Sequence, residues 1–230
     1  DSEPVTYDLH FGNNLISYIG EQSYNSIDDI LPDDVEHLFT DIIGENTSAT
    51  KVNGVWIGSL ASNGLQSLKG YWVKVLEDLS FNYTFSNNQL AKNNNKLINI
   101  SRLNMPKEFY YNQSQSQAFY FIKNITLNDE TVREGDWIIA FHNDIVVGAR
   151  QWFGEYTEVP VMGSDGYDET IGYCDNESKI IFKIYKSSLD TMIELDGEYP
   201  LWNNLSNYIV NNLDEKSILP QEYRINNPYP

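Results

Sequence analysis

The chain has 230 residues, 33 acidic and 15 basic side chains, and a formal charge of −18. That balance excludes a nucleic-acid binder, which needs Lys and Arg to displace phosphate counterions, and it disfavours anionic membrane surfaces. A content of 41% hydrophobic and 13% aromatic residues argues against disorder, and no apolar run approaches the ~20 residues of a membrane-spanning helix.

Taken in chain order, the first half reads as a small α+β unit. Val5 to His10 alternates as a strand does, and Leu15 to Ile19 forms a second short apolar run. Ser26 is placed to cap a helix, with Asp29 three residues on as its capping-box partner. Pro32 suits the first turn of a further helix. There Val35, Leu38, Phe39, Ile42 and Ile43 fall at i, i+3, i+4, i+7 and i+8, with Asp33, Asp34 and Glu36 near the start and Gly44 at the end. Ala49 to Val52 and Val55 to Ile57 flank Asn53-Gly54, a strong two-residue hairpin signal because both positions accept positive φ. Gly70 opens a strand through Val75, and Phe81, Tyr83 and Phe85 alternate in another.

Residues 87–107 are rich in Asn and Lys and read as a linker or an extended crossing strand. From 108 to 211 the pattern is all-β. Strands are expected over Ala118 to Ile125, Asp136 to His142, Ile145 to Trp152, Ile171 to Cys174, Lys179 to Tyr185 and Met192 to Leu195, with a tight hairpin around His142-Asn143-Asp144. Short strands broken by turn signals about every ten residues suggest an antiparallel β-sandwich. The expected organisation is therefore an α+β module (1–86), a linker (87–107), a β-sandwich module (108–211) and an extended, proline-punctuated tail (212–230). Both cores are large enough to fold, the smaller only marginally.

Motifs for catalysis are missing. His10, His37 and His142 have no metal-binding spacing, and there is no nucleophile elbow, phosphate loop or dinucleotide fingerprint. Cys174 is the single cysteine; it excludes a Cys-built metal site and reads as a small buried residue. Twenty-six asparagines generate seven Asn-x-Ser/Thr triplets, at Asn46, Asn82, Asn99, Asn112, Asn124, Asn176 and Asn204, read either as glycan acceptors or as chance in an Asn-rich chain.

Two local features carry chemistry. Between Trp152 and Lys179 lie seven acids and no Lys or Arg. Within that run Asp165, Asp168 and Glu169 surround a glycine turn, hard oxygen ligands of the kind Ca²⁺ takes, although the loop is too short for an EF-hand; the alternative is a solvated acidic loop. Trp152, with Arg150 and Gln151, is the best candidate for an aromatic platform that stacks on sugar rings. Core packing is the competing role for each tryptophan, and Trp56, Trp72 and Trp137 lie in strand contexts. Arg150 alternatively neutralises a neighbouring carboxylate such as Asp136 or Asp144. Residues 1–107 carry 7 bases and 13 acids, net −6, and residues 108–230 carry 8 and 20, net −12. The second module has the stronger field, suited to cations or to a basic partner.

The tail Leu219-Pro220-Gln221-Glu222-Tyr223-Arg224-Ile225, followed by Pro228-Tyr229-Pro230, resembles the opening of the C-terminal sorting domain of type IX (Por-type) secreted bacterial proteins, without the Asn-Pro-Phe-Asn-Pro continuation. Phe11 to Ser17, Lys69 to Val75, Gln117 to Phe121, Gly135 to Phe141, Val147 to Trp152 and Phe182 to Tyr185 are similar to accessory modules that precede such domains. The resemblance implies a non-catalytic segment of a larger secreted or cell-surface protein. Its partners would be neighbouring domains or other surface subunits, and its role surface assembly, spacing or adhesion. The alternative is a glycan-binding accessory module of a secreted hydrolase, stabilised by calcium and recognising polysaccharide. An enzyme with two converging carboxylates ranks last.

Overall fold

The computed structural model describes residues 4–19, 26–84 and 105–217. In the first lobe the strands are β1 (Pro4–Leu9), β2 (Gly12–Ser17), β3 (Phe39–Gly44), β4 (Thr47–Val52), β5 (Val55–Ile57), β6 (Gly70–Val75) and β7 (Leu79–Thr84). Two short helices, α1 (Ile27–Ile30) and α2 (Ser59–Asn63), accompany them. β1 and β7 form an antiparallel pair, and the other five make a sheet in the order β2-β6-β3-β4-β5. The Asn53-Gly54 turn joins β4 to β5 with φ of 52° and 82°, the doubly positive geometry that matches strand twist.

Where an amphipathic helix was expected over Val35 to Ile43, the chain makes one 3-10 turn (Glu36–Leu38) and then β3. The reason is burial. β3 lies between β6 and β4, and its end residues Ile42, Ile43 and Gly44 are all buried. A strand covered on both faces shows a continuous apolar run, which mimics helical spacing. Thr50 Oγ1 donates to Asp41 Oδ1 at 2.7 Å across the β3–β4 pair, which gives the one charged residue of β3 a cross-strand partner. Ser26 does sit at the N-cap of α1, but its Oγ donates to the Asp29 carboxylate at 3.1 Å and makes no side-chain bond to the helix backbone.

The second lobe contains β8 (Gln117–Ile122), β9 (Ile125–Thr126), β10 (Trp137–His142), β11 (Ile145–Gln151), β12 (Thr157–Met162), β13 (Ile181–Lys186), β14 (Thr191–Asp196), β15 (Asn207–Val210) and β16 (Leu213–Glu215). A six-stranded sheet, β11-β10-β13-β14-β16-β9, faces a three-stranded sheet, β12-β8-β15. The pairing is mostly antiparallel, with parallel contacts between β15 and β8 and between β16 and β9. The β10–β11 hairpin turns at Asn143-Asp144, with Asn143 at φ 54°. The expected strand over Ile171 to Cys174 is absent. A 3-10 turn (Asp168–Thr170) leads into Gly172 at φ 83°, and only a single bridge joins Cys174 to Gly163.

β8 and β12 hold the architecture together, since all six residues of each are buried. Ala118, Tyr120, Ile122, Val159 and Val161 enter the core between the two sheets of the second lobe. Phe119 and Phe121 point the other way and pack with Ile43, against Ile57 and Trp72 of the first lobe. The three-stranded sheet is thus the middle of three layers, with the five-stranded sheet on one side and the six-stranded sheet on the other. Close approach within this stack explains Gly148: a Cβ there would lie 1.7 Å from Pro160 O on β12.

Candidate functional site

The junction between the lobes is polar at one end and apolar at the other. Glu158, on β12, has a side chain with 0% exposure. Strand alternation turns it away from Val159 and toward the first lobe, where the start of α2 presents Ser59. The Ser59 backbone N–H and hydroxyl each donate to the carboxylate at 2.5 Å. Arg150, on β11, is 6% exposed and completes the arrangement. Its Nε donates to Glu158 O at 2.9 Å, and one Nη2 lies 2.9 Å from Asn46 O and 3.4 Å from Glu158 Oε1. One guanidinium therefore ties β11 and β12 to the β3–β4 turn. Burial pushes the Glu158 carboxyl above its usual range, and the Arg150 charge and the Ser59 donors oppose that shift.

Further side chains cross the same boundary. Gln117 Nε2 donates to Gly44 O at 3.0 Å, Tyr111 Oη to Asn46 Oδ1 at 2.7 Å, and Ser48 Oγ to Asn207 Oδ1 at 2.9 Å. Asn207 Nδ2 in turn donates to Asp41 Oδ1 and Ala49 O, both at 3.1 Å. Asn46 is only 2% exposed and its amide is taken up inside the junction, so this triplet is closed to a glycan in the folded chain.

Arg150, Gln151 and Trp152 do lie together. With Glu134, Gly135 and Phe153 they line an open pocket of about 440 Å³. Trp152 is half-buried against the sandwich core and its backbone N–H donates to Asp136 O at 2.7 Å. The more exposed ring is its neighbour Phe153, at 51%, carried on a tight turn in which Thr157 Oγ1 accepts from Phe153 N–H and donates to Gly154 O. The sequence reading overlooked Phe153, for which an aromatic beside a Gly was the available signal. Arg150 pairs with Glu158 rather than with Asp136 or Asp144; Asp136 is held instead by Lys186. Trp202 is core, at 2% exposure, with Nε1 donating to Val161 O.

Asp165, Asp168 and Glu169 take different roles. Asp165 Oδ1 accepts from the Thr170 hydroxyl at 2.7 Å and Oδ2 from Gln115 N–H at 3.0 Å. These bonds, the Thr170 hydroxyl foremost, hold the Asp165 carboxyl below its usual range. Asp168 and Glu169 are exposed on the following 3-10 turn. Among the described residues no three His, Cys, Asp or Glu side chains gather closely enough to hold a metal. Cys174 is fully buried and its thiol is pushed up to about 12 by burial and the adjacent Asp175, so at neutral pH it carries no thiolate. The chain matches no protein-family model, no curated protein sequence and no solved structure.

Proposed function

We propose that the chain is a non-catalytic extracellular unit acting in surface assembly, spacing or adhesion, in which the two lobes work as one block. The observation that carries this reading is the junction, where the buried Arg150–Glu158 pair reaches Asn46 and Ser59 of the first lobe and Phe119 and Phe121 pack on Ile43, contacts that oppose relative motion of the lobes. The resemblance of both halves to accessory modules of secreted surface proteins supports the extracellular setting. A spacer must pass load without yielding at its middle. The test is single-molecule pulling of the chain between marker domains. One cooperative rupture for the whole chain is expected; two independent low-force events in the wild type would overturn the reading. Glycan binding is the second reading, favoured by the open pocket beside Phe153 and Trp152 and by the exposure of the Phe153 ring, an apolar face for a sugar ring to stack on. A polysaccharide array separates the two: binding abolished by Trp152→Ala or Phe153→Ala supports the glycan reading.

A further inference from the structure

The second lobe buries a lysine. Period-two alternation in β13 places Lys186 on the same face as Phe182 and Ile184, and its exposure is 0%. Its amine does not reach solvent. Nζ lies 2.5 Å from Asp136 Oδ2 and 2.5 Å from Thr131 O. Asp136 is 3% exposed and immediately precedes Trp137, whose register partner on β13 is Tyr185. Asp136 and Lys186 therefore face each other one step beyond the last registered pair of the β10–β13 ladder. The remaining contacts of the carboxylate are two backbone donors, Ser187 N–H to Oδ1 at 3.1 Å and Arg133 N–H to Oδ2 at 2.9 Å.

We propose that Lys186 and Asp136 condense to an intramolecular amide that covalently clamps β10 to β13. Three features lead there. Hydrogen-bond capacity comes first: an ammonium has three donors, and Nζ has two acceptors. A secondary amide has one N–H, which Thr131 O accepts, and one carbonyl oxygen, Oδ1, which already receives Ser187 N–H. The second is desolvation. Taking both charges out of water is costly, and amide formation removes them together, one Nζ proton passing to Oδ2 as the step begins. The third is proximity, since a nucleophile held against its electrophile in a fixed geometry reacts at a very high effective concentration, and exclusion of water also removes the back reaction.

The step balances without a co-reactant. The Nζ lone pair attacks Asp136 Cγ, and the C–Oδ1 double bond opens to an oxyanion that Ser187 N–H stabilises. A second Nζ proton moves to Oδ2, the Cγ–Oδ2 bond breaks, and one water leaves from the side where Arg133 N–H holds it. The ammonium and carboxylate become an amide and water, with no change in oxidation state.

Intact-mass measurement of the folded chain tests this. The expected mass is the sequence mass less one water, with a branched tryptic peptide joining the segments that contain Asp136 and Lys186. Lys186→Arg keeps the cation but cannot form the amide, and it should show the full sequence mass. Asp136→Asn should form the same amide by losing ammonia. The proposal is overturned if the wild type has the full sequence mass. It is overturned equally if the missing water persists in Lys186→Arg or maps to Asp165-Gly166 or Asp196-Gly197, where cyclisation of the Asp side chain gives the same loss.

Discussion

Glu158→Ala is the sharpest perturbation of the junction. It removes a carboxylate with no solvent exposure and leaves the Arg150 guanidinium buried without its counter-ion. It also strips the Ser59 N–H and hydroxyl of the acceptor they reach at 2.5 Å. Breaking a buried pair by removing one partner costs about 3–5 kcal/mol. For a chain of this size that corresponds to a fall in Tm of roughly 6–20 °C. Thermal and urea unfolding read it directly. Glu158→Gln keeps the shape and an acceptor for Ser59 while removing the buried negative charge, so it should cost less than Glu158→Ala. Arg150→Met combined with Glu158→Leu recovers the part of that loss due to the unpaired buried charge, and leaves the part due to the Ser59 donors and Asn46 O that have lost their partners. A Glu158→Ala protein within about 1 kcal/mol of wild type would refute the claim that this pair locks the lobes.

Three further outcomes follow from the same geometry. At Gly58 (φ 104°) a Cβ would meet Ser48 O at 2.5 Å, Glu158 Oε2 at 2.6 Å and Phe121 Cε1 at 2.7 Å; Gly58→Ala should cost roughly 2–5 kcal/mol from overpacking and backbone strain together. Gly54→Ala in the open hairpin turn (φ 82°, nothing within 4 Å) should cost only the strain, about 1–2 kcal/mol, so equal losses in the two variants would show that the junction is loose. Asp165 and Glu158 should shift stability in opposite directions with pH. The Asp165 carboxyl is held low by Thr170 and Gln115, so its contribution is complete above the ordinary Asp pKa of about 3.9 and is lost as pH falls through the lower folded value. Asp165→Asn should flatten the acid limb of the stability curve. Burial raises the Glu158 carboxyl, so its contribution is complete below about 4.3 and declines as pH rises through the folded value. Wild-type stability relative to Glu158→Gln should therefore be greatest in acid, and a difference that grows with pH would show that Arg150 outweighs burial.

The sequence signals were strongest where structure is local. The Asn53-Gly54 and Asn143-Asp144 turns and the strand opening at Gly70 are set by neighbours in the chain and are found where expected, and the strand expected over Lys179 to Tyr185 is found at Ile181–Lys186. Misreadings cluster where burial on both faces or distant partners decide. The β3 run imitates a helix because both its faces are covered. β12 was hidden inside an acidic run and carries Pro160, so nothing local marked it as a strand of the middle layer. Glu158 looked like one more solvated acid among seven, and only its position opposite Arg150 and Ser59 makes it interior. The parallel β15–β8 and β16–β9 pairs join segments more than 85 residues apart, beyond the reach of any period. The Trp152 cluster was legible as a neighbourhood because its members are adjacent in sequence. The part each side chain plays in it was not, since that depends on which strand faces which.

The middle layer also bears on whether the second lobe is self-sufficient. Taken alone, residues 105–217 would keep the core between their two sheets but lose the cover over the other face of β8 and β12. Phe119 and Phe121, each 0% exposed in the whole chain, would meet water, and exposing two such side chains costs about 3–6 kcal/mol. The unpaired face would also present apolar surface of the kind that drives association. The Arg150–Glu158 pair would regain solvent on one side, which softens its desolvation but removes the Asn46 and Ser59 partners. The isolated second lobe should therefore unfold at lower temperature than the same residues in the whole chain and self-associate in sedimentation. A monomer with undiminished Tm would mean that the sandwich stands without the first lobe and that the junction contributes contact without stability. The net −11 on residues 105–217 (8 bases, 19 acids) works against that association only at long range, because screening within a Debye length of about 8 Å at physiological salt leaves a close apolar contact largely unopposed.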